Sequence, residues 1–182
     1  MPVTGTDCRA RAGGIGDDSR VSRTARQYQS IEGVIAVRPL PTKELVLHAC
    51  RAAPRGDHPL LASAHLLAGL HQRRLLTEPG AANQIDQHRA GLVVAIDRWV
   101  ATEMPLPHGG ALMHTETVGM VIDRLAQFSA SAHDILPAAP EWAVHDAWER
   151  LSELALGYED LAYEVAAGVR RLPYLSAPRS GA

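Results

Sequence analysis

Apolar residues recur at helical spacing along nearly the whole chain from Thr42 to Pro173, and clusters of proline and glycine interrupt them. An apolar stripe with a period of 3.6 residues predicts an amphipathic helix, whereas a half-buried strand alternates apolar and polar residues. The interruptions predict five helices, over about 42–53, 58–76, 81–103, 111–136 and 141–172. Because several of these are long and their turns are short, we predict an all-α fold: a single antiparallel helical bundle of about five helices.

The first forty residues differ in composition from this helical body. They are rich in Gly, Ser, Arg and Asp, and their one apolar run is Ile31–Val37. A segment of this kind buries too little apolar surface to order itself. We therefore predict a disordered leader over 1–40, a helical domain over 41–173 and a flexible tail over 174–182. We also expect residues 1–38 to be removable with little loss of thermal stability.

Charge and cysteine content exclude several classes of function. The net charge is −2, and no run of Lys or Arg points to a nucleic acid or to an anionic membrane. The two cysteines share no motif spacing, so neither a disulfide framework nor a zinc site is predicted. No apolar run approaches the roughly 18 residues of a membrane span, and the leader lacks the apolar core of a signal peptide. We expect a cytoplasmic protein.

Two acidic residues of the predicted fourth helix, Glu116 and Asp123, are seven residues apart, so they lie nearly on one line along it. Gly119 lies beside this line, and a Gly inside a helix costs roughly 1 kcal/mol relative to Ala. The small residues Ala126 and Ala130 lie on the same side. This pattern suits a second helix that packs closely against the fourth.

The predicted third helix carries a second acidic row, because Asp86 and Asp97 are eleven residues apart and again almost collinear. Arg89 and Arg124 are the nearest counter-charges. One interpretation is a partly buried network at the junction of helices three and four. The other is a solvated acidic face with ordinary intrahelical ion pairs, and the sequence leaves both open.

Two histidines complete the set of candidates. His71 lies within the apolar stripe of the second helix, and His114 lies on the apolar side of the fourth. A lone His on an apolar face is more often a hydrogen-bonded core residue than a ligand, but two near four acids favour a common site. The candidate polar site comprises His71, Asp86, Arg89, Asp97, His114, Glu116, Thr117, Asp123 and Arg124.

Motifs for metal binding or catalysis are incomplete. Carboxylate-bridged bundles use Glu-x-x-His on two helices and a Glu from each of two others. The chain has no Glu-x-x-His, no His-Glu-x-x-His, no Gly-rich phosphate loop in its helical body and no Gly-x-Ser-x-Gly elbow. We therefore predict no cofactor, with a loose Mg²⁺ or Mn²⁺ site formed by acids of two helices as the alternative.

Several short segments together resemble a bacterial family known as domain of unknown function 4254, in an actinobacterial form. They are Leu70-His71, Ile85-Asp86-x-x-Arg89, Ile96-Asp97, Thr115-Glu116-Thr117-x-Gly119, Ile122-Asp123-Arg124-Leu125 and Arg170-Arg171-Leu172-Pro173. The resemblance covers about 42–173 and implies a helical fold without supplying an activity. Some relatives have Trp-His-x-Glu-Asp where this chain has Leu70-His71-Gln72-Arg73-Arg74, so a metal role does not carry over by analogy.

Two classes of function follow from these observations. The favoured one is a non-catalytic binding or assembly protein with a polar cluster between helices three and four. Its partner would be an unknown protein or a small polar ligand, and homo-oligomers are left open. The alternative is a metal-assisted hydrolase or transferase acting on a phosphorylated or sugar substrate. A helical bundle alone does not decide between them, because the same fold hosts many functions.

Overall fold

The computed structural model describes residues 39–134 and 139–173. Within these ranges the chain forms five α-helices: α1 (Lys43–Arg51), α2 (Pro59–Leu75), α3 (Asn83–Glu103), α4 (Val118–Asp134) and α5 (Glu141–Ala166). A 3-10 turn, Pro79–Ala81, precedes α3. Two short strands, β1 (Leu112–Met113) and β2 (Arg170–Arg171), pair in parallel. The all-α prediction is confirmed, and the antiparallel order of the helices stays a prediction.

Residues 1–38 of the predicted leader and residues 174–182 of the predicted tail lie outside the described residues. Leu40, which we assigned to the leader, is 7% exposed and packs in the core. The carbonyl oxygen of Pro41 accepts a 2.7 Å hydrogen bond from the buried Tyr158 hydroxyl of α5. The last residues before α1 therefore belong to the helical body.

Helix starts follow the capping chemistry of the sequence. The Thr42 hydroxyl oxygen accepts a 3.5 Å hydrogen bond from the Leu45 N–H at the start of α1. At the start of α2, His58 Nδ1 accepts from the Leu60 N–H, and Pro59 occupies the first helical position, where no N–H is needed. Polar caps of this kind satisfy backbone donors that have no partner within the helix.

The core forms around α4, which contacts each of the other four helices. The largest fully buried side chains of the helices are Val46, Leu60, Leu61, Leu67, Leu70, Ile96, Val118, Ile122, Leu125, Ser129 and Tyr158. Cys50 also lies in this core, and burial raises the pKa of its thiol to about 12. That thiol acts as a small apolar residue.

The predicted start of the fourth helix near 111 is wrong by seven residues. The N–H groups of Leu112 and His114 donate to the carbonyl oxygens of Val169 and Arg171, so this segment runs as a strand beside β2. The Thr117 hydroxyl oxygen accepts from the Met120 N–H at 3.2 Å, which is N-cap geometry. His114, Glu116 and Thr117 therefore precede α4, and the collinear arrangement predicted for Glu116 and Asp123 is also wrong.

The predicted end of the fifth helix near 172 is wrong as well. The helix ends at Ala166, and Gly168 follows with a φ of +69°. A left-handed Gly just past the last turn is a common helix terminus, because only Gly adopts that conformation without a steric penalty. The chain then turns into β2, whose two residues have no visible strand pattern in the sequence.

Candidate functional site

Asp123 on α4 lies where α2, α3 and α4 meet, and it holds side chains from both neighbouring helices. His71 Nε2 of α2 lies 2.8 Å from Asp123 Oδ1. Since an ionised carboxylate only accepts hydrogen bonds, this ring nitrogen donates. Arg89 of α3 donates from Nε to Oδ1 at 3.2 Å and from Nη2 to Oδ2 at 2.6 Å. The side chain of His71 is 5% exposed and that of Asp123 is 17% exposed.

The same arginine continues the network toward the surface. Arg89 Nη1 donates to Asp86 Oδ1 at 3.1 Å, and Arg74 Nε lies 3.5 Å from that oxygen. We call the set Arg74, His71, Asp86, Arg89 and Asp123 the Asp123 cluster. Arg74 was absent from our predicted site, although its position one turn after His71 places it on the same side of α2.

The pairing changes the acid–base behaviour of Asp123. Burial alone raises the pKa of this carboxyl, but the hydrogen bonds from His71 and Arg89 and their charges outweigh burial and lower it below 3.8. The hydrogen bond to Asp123 in turn raises the pKa of Arg89, against the effect of burial. Both groups are therefore held in their charged forms.

Asp97 of α3 forms a separate contact with the start of α4. Its Oδ1 accepts a 2.8 Å hydrogen bond from the Gly119 N–H, and the buried Thr117 side chain also bonds to it. A carboxylate from one helix thus caps another and sits at the positive end of its dipole. Burial raises the pKa of Asp97, and the bonds from Thr117 and Gly119 offset only part of this rise.

Gly119 explains how α3 and α4 come so close. A Cβ at this position would lie 2.5 Å from the Val93 carbonyl oxygen and 2.7 Å from Asp97 Oδ1. Real side chains do not tolerate such distances, so any residue other than Gly would push the helices apart. The close helix approach predicted from the Gly in this row is present.

The remaining candidates lie at the loop before α4. Glu116 pairs with Arg124, and Glu116 is about one-fifth exposed. His114 Nδ1 lies 2.8 Å from the Glu116 carbonyl oxygen and 3.2 Å from its backbone nitrogen. Within the described chain, hydrogen bonds and ion pairs therefore join the nine candidates in three separate sets, whereas one of our two interpretations was a single network between helices three and four.

Two further observations bear on ligands. Within residues 39–134 and 139–173, no three side chains of His, Cys, Asp or Glu lie together in a way that could hold a metal ion. An apolar cleft of about 400 Å³ lies between the start of α1 and the turn before α2, where Leu45, Arg55 and Asp57 line it. None of the nine candidates lines this cleft.

Comparison with known proteins gives one match. A family model described as "Protein of unknown function (DUF4254)" matches residues 70–174, a range that contains all nine candidates and Arg74. Neither the curated proteins nor the solved structures contain a match to this chain. Over the part of the chain that the structure describes, no helix combines the length and the apolar character of a membrane span.

Proposed function

Starting from the fact that the chain belongs to the family DUF4254, we propose that it is a non-catalytic binding or assembly protein. In this proposal the Asp123 cluster fixes α2, α3 and α4 relative to one another, so that the outer surface of the bundle keeps one shape. The partner is a protein or a small polar ligand, and the protein works in the cytoplasm.

The observation that carries the proposal is the engagement of both carboxylate oxygens of Asp123. Oδ1 accepts from His71 and Arg89, and Oδ2 accepts from Arg89. A bidentate Arg–carboxylate pair is strong and geometrically specific. It also lowers the pKa of the acid, which makes Asp123 a weak base near neutral pH. These properties suit a fixed link between helices better than a group that must exchange protons with a substrate.

The other acids support the same proposal. Asp97 accepts from the Gly119 N–H, and Glu116 pairs with Arg124. A hydrolase or transferase that uses Mg²⁺ or Mn²⁺ directs several carboxylate oxygens at one cation. Here Asp86 and Asp123 share Arg89, Asp97 accepts from the start of α4 and Glu116 pairs with Arg124, so these carboxylates are engaged by donors of the protein itself.

An apolar replacement of the cluster tests the proposal. Buried ion pairs can often be replaced by hydrophobic residues of similar volume without loss of stability. We expect the triple variant His71→Leu/Arg89→Met/Asp123→Leu to keep the cellular role of the protein, measured as rescue of the defect of a strain lacking the gene. A cluster that performs chemistry would lose that role in a folded variant, and this result would overturn the proposal.

The single variant His71→Gln keeps the test decisive if the triple variant does not fold. The Gln amide N–H₂ can still donate to Asp123, whereas the imidazole needed for proton transfer is gone. We expect full rescue by a variant that melts close to the parent. A folded His71→Gln protein that fails to rescue would contradict a purely structural role for the cluster.

A further inference from the structure

The outward side of α5 carries an apolar line that nothing in the described chain covers. Trp142, Leu156 and Tyr163 are 74%, 55% and 75% exposed. They are spaced by multiples of seven residues, so they lie close to one line along the helix. The opposite side of α5 packs into the core through Leu151 and Tyr158. Glu149 lies between Trp142 and Leu156 on this line, so the apolar side chains are separate anchor points rather than one continuous patch. Exposed Trp and Tyr side chains are common energetic centres of protein interfaces.

Three exposed acids, Glu149, Glu153 and Asp160, lie between the apolar residues on the same side of α5. None of them pairs with a basic side chain within residues 39–134 and 139–173, whereas Glu159 pairs with Lys43 and Glu164 with Arg170. The α5 face, as we call these apolar and acidic residues together, therefore combines three large apolar groups with three uncompensated negative charges. It consists of Trp142, Glu149, Glu153, Leu156, Asp160 and Tyr163.

Gly157 leaves open space on the surface of α5 beside this apolar line. It lies in the interior of α5, is exposed, and has no atom within 4 Å of where a Cβ would stand. A Gly inside a helix is less favourable than Ala, and no contact within the described chain accounts for it here. The open flank next to Leu156 allows another helix to pack against α5 at short distance.

The charges of the α5 face decide which class of partner fits. Phosphate groups of nucleic acids or anionic lipids would meet uncompensated carboxylates, which repel them. A second copy of the same face would bring six acids together, so self-association is also unfavourable. Lys or Arg side chains placed beside an apolar row would neutralise the acids and cover Trp142, Leu156 and Tyr163 at once.

We propose that the α5 face binds an amphipathic helix, rich in Lys or Arg, of another protein. This inference rests on the proposed binding function and names its partner class. The line from Trp142 to Tyr163 spans about 30 Å at 1.5 Å per residue, so the partner helix has about 20 residues. The apolar side chains provide the contact area, and the acids select the charge of the partner.

A synthetic peptide pair tests this inference with the full chain. The probe is a 20-residue amphipathic helix of Leu and Lys, and the charge control is the same peptide with Glu in place of Lys. We expect the Leu/Lys peptide to bind at least about tenfold more tightly in calorimetry at physiological salt, which corresponds to about 1.4 kcal/mol. Equal binding of the two peptides would overturn the proposal.

Two matched pairs of variants locate the binding surface. Leu156→Ser/Tyr163→Ser should weaken Leu/Lys binding at least about tenfold, whereas Leu66→Ser/Leu76→Ser removes two exposed leucines outside α5 and should leave it unchanged. Glu149→Gln/Glu153→Gln/Asp160→Asn should weaken it, whereas Asp57→Asn/Glu78→Gln/Asp134→Asn removes the same charge elsewhere and should not. If either control weakens binding as much as its counterpart, the attraction is nonspecific and the proposal fails.

Cellular rescue and oligomeric state separate this inference from the proposed function. We expect folded Leu156→Ser/Tyr163→Ser protein to fail to rescue the strain lacking the gene and the parent to be a monomer by light scattering. Full rescue by that variant, or a dimer that this variant dissociates, would overturn the α5 proposal. The cluster variants His71→Leu/Arg89→Met/Asp123→Leu and His71→Gln test the binding function without altering α5, so the two failures remain distinguishable.

Discussion

The guanidinium of Arg89 contacts both carboxylate oxygens of Asp123, with Nη2 2.6 Å from Oδ2 and Nε 3.2 Å from Oδ1. This pair links α3 to α4, and His71 adds α2 through the same carboxylate. Most of the contact is shielded from water, since the Asp123 side chain is 17% exposed and that of Arg89 is 24% exposed. Removal of one partner from a partly buried pair costs more stability than removal of one partner from a surface pair, because it leaves an uncompensated charge shielded from water.

Asp123→Asn is predicted to remove a contribution to stability that depends on pH. Burial raises the pKa of Asp123, but the bonds from His71 and Arg89 outweigh it, so the folded pKa lies below 3.8. Such a group stabilises the fold fully above its unfolded pKa and loses this effect as pH falls through its folded pKa. Urea titrations from about pH 2 to 7 should show that the parent has a higher free energy of unfolding than the variant, and that this difference narrows below about pH 4. A gap that stays constant would contradict this.

Asp97→Asn is predicted to behave in the opposite way. Burial raises the pKa of Asp97 above 3.8, and the bonds from Thr117 and Gly119 offset only part of that rise. Ionisation of this carboxyl therefore lowers the free energy of unfolding as pH rises through the raised pKa. The Asn amide oxygen can still accept from the Gly119 N–H. We expect the variant to be at least as stable as the parent at pH 7, and a loss as large as that of Asp123→Asn would refute this.

Gly119→Ala is predicted to destabilise the fold by about 1–3 kcal/mol, because its new methyl group would overlap the Val93 carbonyl oxygen at 2.5 Å. Gly157→Ala is the matched control, since it adds the same methyl group to a helix interior with nothing within 4 Å. The control should gain up to about 1 kcal/mol from better helix propensity. The melting temperatures of the two variants measure this difference. If both variants change the melting temperature by the same amount in the same direction, α3 and α4 are not in close contact.

His71→Ala is predicted to cost about 2 kcal/mol, through the cavity it leaves and through a lost donor to Asp123. His88→Ala is the control, because His88 is exposed on α3. Its free energy of unfolding should stay within about 0.5 kcal/mol of the parent. Urea denaturation of both variants at pH 7 gives the comparison; a His71→Ala protein as stable as the parent would mean that this histidine does not hold the helices together.

Local patterns in the sequence predicted much of this architecture. The proline and glycine breaks gave the number of helices, and Thr42 gave a correct N-cap because capping depends on residues close in sequence. Gly119 predicted a close helix contact because the helix predicted from 111 placed this Gly in its interior, where a Gly is less favourable than Ala. Asp123 and Arg89 were both among the predicted site residues, because small residues beside Asp123 suit a closely packed second helix and Arg89 was one of the nearest counter-charges.

Nonlocal contacts account for what the sequence did not predict. The segment before α4 has helical periodicity, but its N–H groups pair with β2, which lies more than fifty residues further along the chain. That pairing moves His114 and Glu116 off the helix and separates Glu116 from Asp123. The link from His71 to Asp123 joins residues 52 apart in sequence and depends on how α2 packs against α4. Such contacts override local propensity and are visible only in the fold.

The most direct measurement of the central claim compares Asp123→Ala with Glu149→Ala by urea denaturation at pH 7. Both variants remove one carboxylate from a helix, but Asp123 links three helices whereas Glu149 is exposed on α5. If the Asp123 cluster fixes the bundle, Asp123→Ala lowers the free energy of unfolding by about 3 kcal/mol or more and Glu149→Ala changes it by less than about 0.5 kcal/mol. Equally small changes in both variants would contradict the account, because the Asp123 cluster would then contribute no more to stability than an ordinary surface charge.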